Sequence, residues 1–416
     1  MYQIRRTTYL NQVKPHSLSI LFSGHAPQKS GDQNYMYSVN RNFFYMTGIE
    51  QERAILVLAK GIMNTAAYLF IELTDPVKAL WDGAGLTFED AAKIAGLELK
   101  DIRDIKTFDT FIAQQLSTSR RAAFGQIEGI YMDLERQSEV ADPTVSIQYA
   151  QRLKDMYPFV NIMGNQMILA QMRMVKDEHE VSEVRKAVEI TKEGLNRILS
   201  TIKPGLGEYE LEAEFNYVLN KHRTVTAFNT IAASGKNAAI LHYINNDTKI
   251  GNNDLVLFDL GVSYQNYNSD VTRTYPANGK FSDRQKAVYE VVLEANKKTI
   301  EWLKPGVSLQ EFFDFGKSIL TEGAKKLGLI KEDAEISKYY YHSLGHYLGL
   351  DVHDVGNYSL IIPEGALITV EPGLYIAEEG IGIRIEDDVV VTKDGCINLT
   401  KEIIKEVKDI EKFMKK

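Results

Sequence analysis

Leu255-Val-Leu-Phe-Asp-Leu-Gly-Val262 is a nearly continuous apolar run with one carboxylate, Asp259, set inside it, and Asp270-Val-Thr-Arg-Thr-Tyr275 follows across a polar stretch. The first run reads as a strand covered on both faces. The second alternates, which puts Asp270, Thr272 and Thr274 on one face of another strand. Residues 263–269 are polar and turn-like, so the two strands are expected to form a hairpin that brings the aspartates together. A carboxylate buried without a partner is costly or takes up a proton, and two held close repel unless a cation lies between them. Taken alone, Asp259 also fits a structural salt bridge, and the pair also fits a solvated hairpin tip.

The chain repeats itself on either side of this stretch. Lys186-Ala-Val188 leads through a helical pattern to Lys203-Pro-Gly205, and Lys286-Ala-Val288 leads in the same way to Lys304-Pro-Gly306, about one hundred residues later. Each Pro-Gly ends one helix, because proline cannot continue it and glycine takes the left-handed cap, and each is followed by a second amphipathic helix. Strand-like segments come after each pair, so this region reads as two related halves closing around something between them. Chance likeness of two amphipathic helix pairs is the alternative.

The repeat begins at the end of Lys176-Asp-Glu-His-Glu-Val-Ser-Glu-Val-Arg-Lys-Ala-Val188, a charged run whose Val181, Val184 and Val188 recur at helical spacing. A boundary just before it divides the chain into domains 1–172 and 173–416. The first alternates strand-like and helix-like segments. Ala54-Ile-Leu-Val-Leu-Ala59 and Ala67-Tyr-Leu-Phe-Ile71 are buried-strand patterns around Gly61, Phe88 to Ile94 and Thr107 to Leu116 are helical, and Gly129-Ile-Tyr-Met132 is a further strand. An α/β domain with a mixed sheet is expected there, without a catalytic cluster.

Composition suits two cores: of 416 residues, 44% are hydrophobic and 25% charged. The net charge of −8 argues against nucleic acid, which needs a clustered positive surface. No segment has the apolar length of a signal peptide core or a membrane helix, and the one cysteine, Cys396, suits a reducing compartment; a soluble cytoplasmic protein with no membrane partner is expected.

The remaining chemistry lies after the second helix pair. Three of the eight histidines fall in His342-Ser-Leu-Gly-His-Tyr-Leu-Gly-Leu-Asp-Val-His-Asp354, where Gly345 and Gly349 permit sharp turns or close approach. In Ile368-Thr-Val-Glu-Pro-Gly373 the Pro-Gly turn presents Glu371 at a strand end. Ile381-Gly-Ile-Arg-Ile-Glu-Asp-Asp-Val-Val-Val391 is another buried-strand pattern, with Arg384 and Glu386 on one face and Ile383 and Ile385 on the other. Singly, these residues also fit a satisfied core histidine, a surface glutamate and a structural Arg-Glu pair. Together they offer four carboxylates and imidazole, a donor set for a hard or borderline divalent metal such as Mn²⁺, with Co²⁺, Fe²⁺ or Zn²⁺ possible. Two such ions, about 3.5 to 4 Å apart, can share a bridging water, lower its pKa and clamp a tetrahedral intermediate, which suits peptide-bond hydrolysis.

The order Asp259, Asp270, His346, Glu371, Glu386 resembles the five-ligand pattern of the metallopeptidase family that includes aminopeptidase P, prolidase and methionine aminopeptidase. Phe-Asp-Leu-Gly, Ser-Asp-Val-Thr-Arg-Thr, Gly-His-Tyr-Leu-Gly-Leu-Asp-Val-His-Asp, Val-Glu-Pro-Gly and Ile-Arg-Ile-Glu-Asp-Asp resemble its motifs, and Phe43-Phe-Tyr-Met-Thr-Gly48 resembles the creatinase-like N-terminal domain. The resemblance implies an α+β "pita-bread" fold with pseudo-twofold halves for the second domain. It implies that the five residues bind two metals, with a metal-bridging hydroxide as nucleophile, and that Glu371 also moves the proton. His242 in Ile240-Leu-His-Tyr243 and His353 resemble substrate-side histidines, His342 one lining the proline subsite, and Arg384 an arginine that orients the site, as Asp354 would also do. The implied substrates are peptides with a penultimate proline, cut as by an aminopeptidase P, with prolidase as the alternative and a homodimer or higher oligomer expected. A different class, an inactive pita-bread scaffold, is opposed by retention of all five ligands. Trp81, in Leu80-Trp-Asp-Gly83, could add to the proline pocket or simply pack.

Overall fold

The computed structural model of the chain describes residues 1–116, 122–136 and 138–415. They separate into two units, Met1–Met172 and Arg173–Lys416. In the first, Ser17–Phe22 (β1), Ile55–Lys60 (β2), Thr65–Ile71 (β3), Ile102–Asp104 (β4), Gly129–Met132 (β5) and Asn161–Gly164 (β6) form one sheet in the order β4-β3-β2-β1-β5-β6. It is mixed: β1, β2 and β3 pair antiparallel, and the outer pairs are parallel. The apolar run in β2 is buried from Ile55 to Ala59, as a strand covered on both faces requires. Helix Phe88–Ala95 starts where the Thr87 hydroxyl accepts the Asp90 N–H at 3.0 Å and stops at Gly96 with φ +60°. Phe70, Phe108 and Phe111 pack ring against ring in the core, between β3 and helix Phe108–Leu116.

The second unit is built twice from one plan. Helices Glu178–Thr201 and Glu208–Lys221 form one pair, and Asp283–Trp302 and Leu309–Lys326 the other. The turns between partners match bond for bond. Gly205 and Gly306 have φ of +92° and +90°. The Gly205 N–H donates to Ile250 O at 2.9 Å, and the Ile250 N–H returns to Leu206 O; Gly306 donates to Ile362 O at 3.0 Å, and Ile362 returns to Val307 O. The next helix then opens with the same reach-back, Glu210 accepting the Gly207 N–H and Glu311 the Ser308 N–H. The repetition read from Lys-Pro-Gly is therefore structural, not a chance likeness of helices.

After the first pair come Val225–Thr226 (β7), Ile231–Ser234 (β8), Leu255–Leu260 (β9), Val262–Tyr264 (β10), Tyr267–Asn268 (β11) and Val271–Pro276 (β12). β8, β9 and β12 form one antiparallel sheet, with Asp259 opposite Thr272. The expected hairpin forms, but 263–269 is no solvated tip. It folds into a second hairpin, β10–β11, over a turn in which Gln265 and Asn266 both have positive φ. Tyr267, Asn268 and Ser269 are buried: helix Glu178–Thr201 covers Ser269 through Thr191 and Tyr267 through Glu180, and Asn268 donates to the carbonyls of Gly349 and Leu350.

After the second pair come Leu367–Val370 (β13), Gly373–Ile376 (β14), Ile381–Arg384 (β15), Asp387–Thr392 (β16) and Gly395–Asn398 (β17). β16 lies between β13 and β17, and β14 pairs with β15. The stretch 381–391, expected as one strand, is thus interrupted at Ile385-Glu386, and its partner is interrupted at Glu371-Pro372. Proline has no N–H to give the ladder, so pairing stops there. Both breaks fall at glutamates singled out above. Among the described residues, no helix is long and apolar enough to cross a membrane.

Candidate active site

The register is the same on both sides of the double break: Val370 pairs with Asp387 and Gly373 with Arg384. Glu371 therefore lies opposite Glu386, and their amides turn outward to other partners, Glu371 N–H to Leu344 O and Glu386 N–H to Thr272 O. The second bond brings β12 of the first half against the second half. There Asp270, one residue before β12, donates its N–H to Asp388 Oδ2 at 3.2 Å. His346 comes from the glycine-flanked segment, where the Gly345 Cα packs so closely on Thr369 O that a Cβ would sit 2.1 Å from it.

These residues meet at one cavity of about 670 Å³, lined by Asp259, Asp270, His346, Glu371 and Glu386 together with His242, His342, His353 and Arg384. Nine of the eleven side chains singled out from the sequence for the site thus line it, all in the second unit. Asp354, also in the second unit, lies outside this lining, and Trp81 belongs to helix Pro76–Asp82 of the first unit and is 85% exposed.

The donor atoms converge as metal ligands do. Asp270, His346 and Glu386 each offer an atom within 4.8 Å of the others. His346 Nδ1 donates to Tyr347 O at 3.0 Å, which leaves the Nε2 lone pair facing Asp270 Oδ2 and Glu371 Oε1, both at 3.5 Å. Asp259 Oδ1 is buried without a hydrogen-bond partner. Burial raises the Asp270 carboxyl well above the ordinary range, with Glu386 and Asp259 adding repulsion. Burial and Glu386 do the same to Glu371, and burial and Asp259 push Glu386 up to about 7. Lone pairs and carboxylates aimed at one another fit divalent cations, which would relieve the repulsion and occupy the orphaned oxygen.

Arg384 organises the opposite wall. Its Nη2 pairs with Asp259 Oδ2 at 2.5 Å, its Nε donates to Thr272 Oγ1, and its Nη1 donates to the Tyr375 hydroxyl at 2.9 Å. Thr272 in turn donates to Glu386 Oε2 at 2.7 Å. Tyr375 lies 2.8 Å from His342 Nε2, while His342 Nδ1 faces Ser343 O at 2.7 Å. A carbonyl only accepts, so Nδ1 carries the proton and the tyrosine hydroxyl donates to Nε2. Burial, with Arg384 nearby, lowers His342 to about 4, so this imidazole is neutral at physiological pH. Tyr375 was not evident from sequence, since Gly-Leu-Tyr-Ile reads as ordinary strand.

Glu208 was missed for a similar reason, being the first residue of a helix. It is buried, and its carboxylate accepts from Ser234 N–H and Oγ, Thr248 N–H and Tyr243 Oη, pinning the segment that presents His242. Asp354 binds Lys176 at 2.9 Å and also Arg173, and so anchors the loop that carries His353. The His353 ring packs against that of His346, tilted by 56° with 4.2 Å between ring centres.

Residues 182–393 match the profile of Metallopeptidase family M24, and residues 2–124 match that of the Aminopeptidase P N-terminal domain. The chain belongs to the M24 metallopeptidase family. Its M24 unit is the pita-bread fold, and the Aminopeptidase P N-terminal domain match covers most of the α/β unit before it. Among its relatives in the family, the Xaa-Pro aminopeptidase of Haemophilus influenzae is 35% identical over 99% of this chain and 96% of its own length, and that of Escherichia coli 33% over 99% and 97%. A Bacillus anthracis structure proposed to be an aminopeptidase P superposes with a TM-score of 0.96 at 43% identity, covering 99% of this chain and 97% of the other. Escherichia coli aminopeptidase P in complex with substrate superposes at 0.88 with 32% identity and the same coverage. This M24 chain is therefore similar along its length to aminopeptidases P rather than to a prolidase.

Proposed function

We propose that this chain is a metal-dependent aminopeptidase that releases the N-terminal residue from peptides with proline in the second position. The observation that carries the reading is the convergence of four carboxylates and His346 on a cavity that three further histidines line. Asp259, Asp270, His346, Glu371 and Glu386 would hold two divalent ions, with Mn²⁺ favoured by so oxygen-rich a set and Co²⁺, Fe²⁺ or Zn²⁺ as alternatives. Bound there, such ions acidify water and polarise a peptide carbonyl.

The protein's own groups do the rest. Glu371, whose carboxyl is raised by burial, accepts a proton from the attacking water and delivers it to the departing nitrogen. That delivery is necessary because an amide nitrogen, proline's included, leaves as an amine only once it has gained a proton. His242 and His353 line the cavity and are assigned to the scissile carbonyl, where negative charge develops. His342 has both nitrogens engaged within the protein, so it offers a ring face or edge, which suits the apolar proline ring. Arg384 orients Asp259 and Tyr375 and touches no proton in flight. Trp81 is retained as a substrate-binding residue on its exposure, to be tested by whether W81A raises KM without changing kcat. A cytoplasmic homodimer or higher oligomer completes the reading.

Assays on Xaa-Pro-Yaa tripeptides beside Xaa-Pro dipeptides, with Mn²⁺ added, test it. Release of the first residue from tripeptides is expected. Cleavage confined to dipeptides would make the protein a prolidase, and no cleavage of either by metal-loaded protein would make it a binding protein.

A further inference from the structure

The double break in the second half leaves a carbonyl without its ladder partner. Continuing the shared register, Pro372 stands opposite Ile385. The Ile385 N–H reaches Pro372 O at 3.2 Å, as a hydrogen-bonded antiparallel pair requires, but proline has no N–H to return to Ile385 O. That carbonyl accepts instead from Asn296 Nδ2 at 3.3 Å, on helix Asp283–Trp302, and the same amide nitrogen donates to Val370 O at 3.0 Å. Val370 and Ile385 immediately precede Glu371 and Glu386 in sequence. Asn296 is wholly buried, and its own oxygen accepts from Lys405 Nζ at 2.7 Å. Lys405 also pairs with Asp387, the residue after Glu386. One side-chain amide thus bridges the two strand ends from which the opposed glutamates project.

We propose that Asn296 is a positioning residue for the metal centre: it supplies the ladder bond that Pro372 cannot, and so sets the spacing of Glu371 and Glu386. Strands separated by a proline break have no continuous ladder to hold them, and the amide restores the tie without a backbone donor. The inference rests on the reading of these glutamates as metal ligands. Asp at this position keeps the size and the acceptor for Lys405 but removes the donor, so N296D isolates the tie.

The test titrates metal-free protein with Mn²⁺ by calorimetry and measures kcat and KM separately. Expected for N296D is about a 10–100-fold loss of Mn²⁺ affinity at one or both sites, the range seen when outer partners of metal ligands are removed. kcat should fall with KM little changed, and circular dichroism should match wild type. P372A supplies the check that a merely structural role would not move, because residue 372 regains an N–H facing Ile385 O. In that background the loss caused by N296D should shrink. Wild-type Mn²⁺ affinity and kcat in N296D, or an equal loss with and without P372A, would overturn the proposal. A wild-type chain that takes up no Mn²⁺ would overturn the ligand reading of the glutamates, and this proposal with it. If N296D does not fold, N296Q, which keeps the donor on a longer arm, should retain Mn²⁺ binding above that of N296L; equal binding in these two would overturn the proposal.

Discussion

The two halves of the second unit share their helix pairs and their Pro-Gly turns, with φ values of +92° and +90° at Gly205 and Gly306, yet they present carboxylates in different ways. In the first half, Asp259 lies within an unbroken antiparallel ladder, β9 against β12, and Asp270 immediately before it. In the second, Glu371 and Glu386 sit where the ladder is interrupted on both strands. Short side chains on a continuous ladder are held by the backbone. Longer ones at a break need support from elsewhere, from Thr272 on Glu386 and from Asn296 behind both. One duplicated scaffold thus carries a pair of acids on or beside a continuous ladder, with Arg384 on Asp259, and a pair at a break whose strand ends are tied by tertiary contacts; Glu371, the proposed proton carrier, belongs with the second.

The sharpest way to break this contrast is Glu371→Gln. It should lower kcat by about 10²- to 10⁴-fold, the usual contribution of a positioned acid–base group, with circular dichroism unchanged. Retained turnover would remove the proton-transfer role from the second half. Asp354→Asn strikes the anchor of the loop that carries His353. It leaves Lys176 buried without its carboxylate, while Arg173 keeps Asp351, and should cost about 3–5 kcal/mol in urea unfolding, as loss of one partner of a buried ion pair does.

The same residue has a pH signature. Burial pushes the Asp354 carboxyl upward, but Lys176 and Arg173 outweigh it and hold it below the ordinary aspartate value. A depressed folded-state pKa gives stability that is complete above the unfolded value and is lost as pH falls below it. The melting temperature should therefore drop below about pH 4, with a shallower drop in Asp354→Asn. An unchanged acid limb in the variant would contradict this.

Divalent metal should stabilise the protein by relieving repulsion across the two halves. At one hundred times its dissociation constant Mn²⁺ should add about 2.7 kcal/mol per site, read as a rise in melting temperature that a chelator reverses. The smallest effect tests the equivalence of the halves themselves. Gly205→Ala and Gly306→Ala each force a Cβ into the left-handed region and should each cost about 1 kcal/mol, and by similar amounts. A cost confined to one turn would show that the halves do not carry load alike.

Much of this architecture was legible from local pattern. The apolar run around Asp259, the alternation after Asp270 and the Pro-Gly after Glu371 each predicted a strand or its end. The paired Lys-Pro-Gly turns predicted the duplication. The polar stretch 263–269 misled as to burial, because its cover is a helix that begins at Glu178, remote in sequence. Tyr375, Glu208 and Asn296 were invisible for the same kind of reason. Tyrosine in a strand, glutamate at a helix start and asparagine in a helix are unremarkable by composition, and only the groups across from them give them work.

The sequence by itself determined most of the strands, helices and turns around the site, and the donor types available to a metal, because those follow from periodicity of 2 or 3.6, from Pro and Gly, and from side-chain chemistry. Tertiary structure alone decided which donors meet, which carboxyls are raised by burial and by one another, and which buried residues hold them. Those properties depend on distance through space between segments that the chain itself keeps far apart.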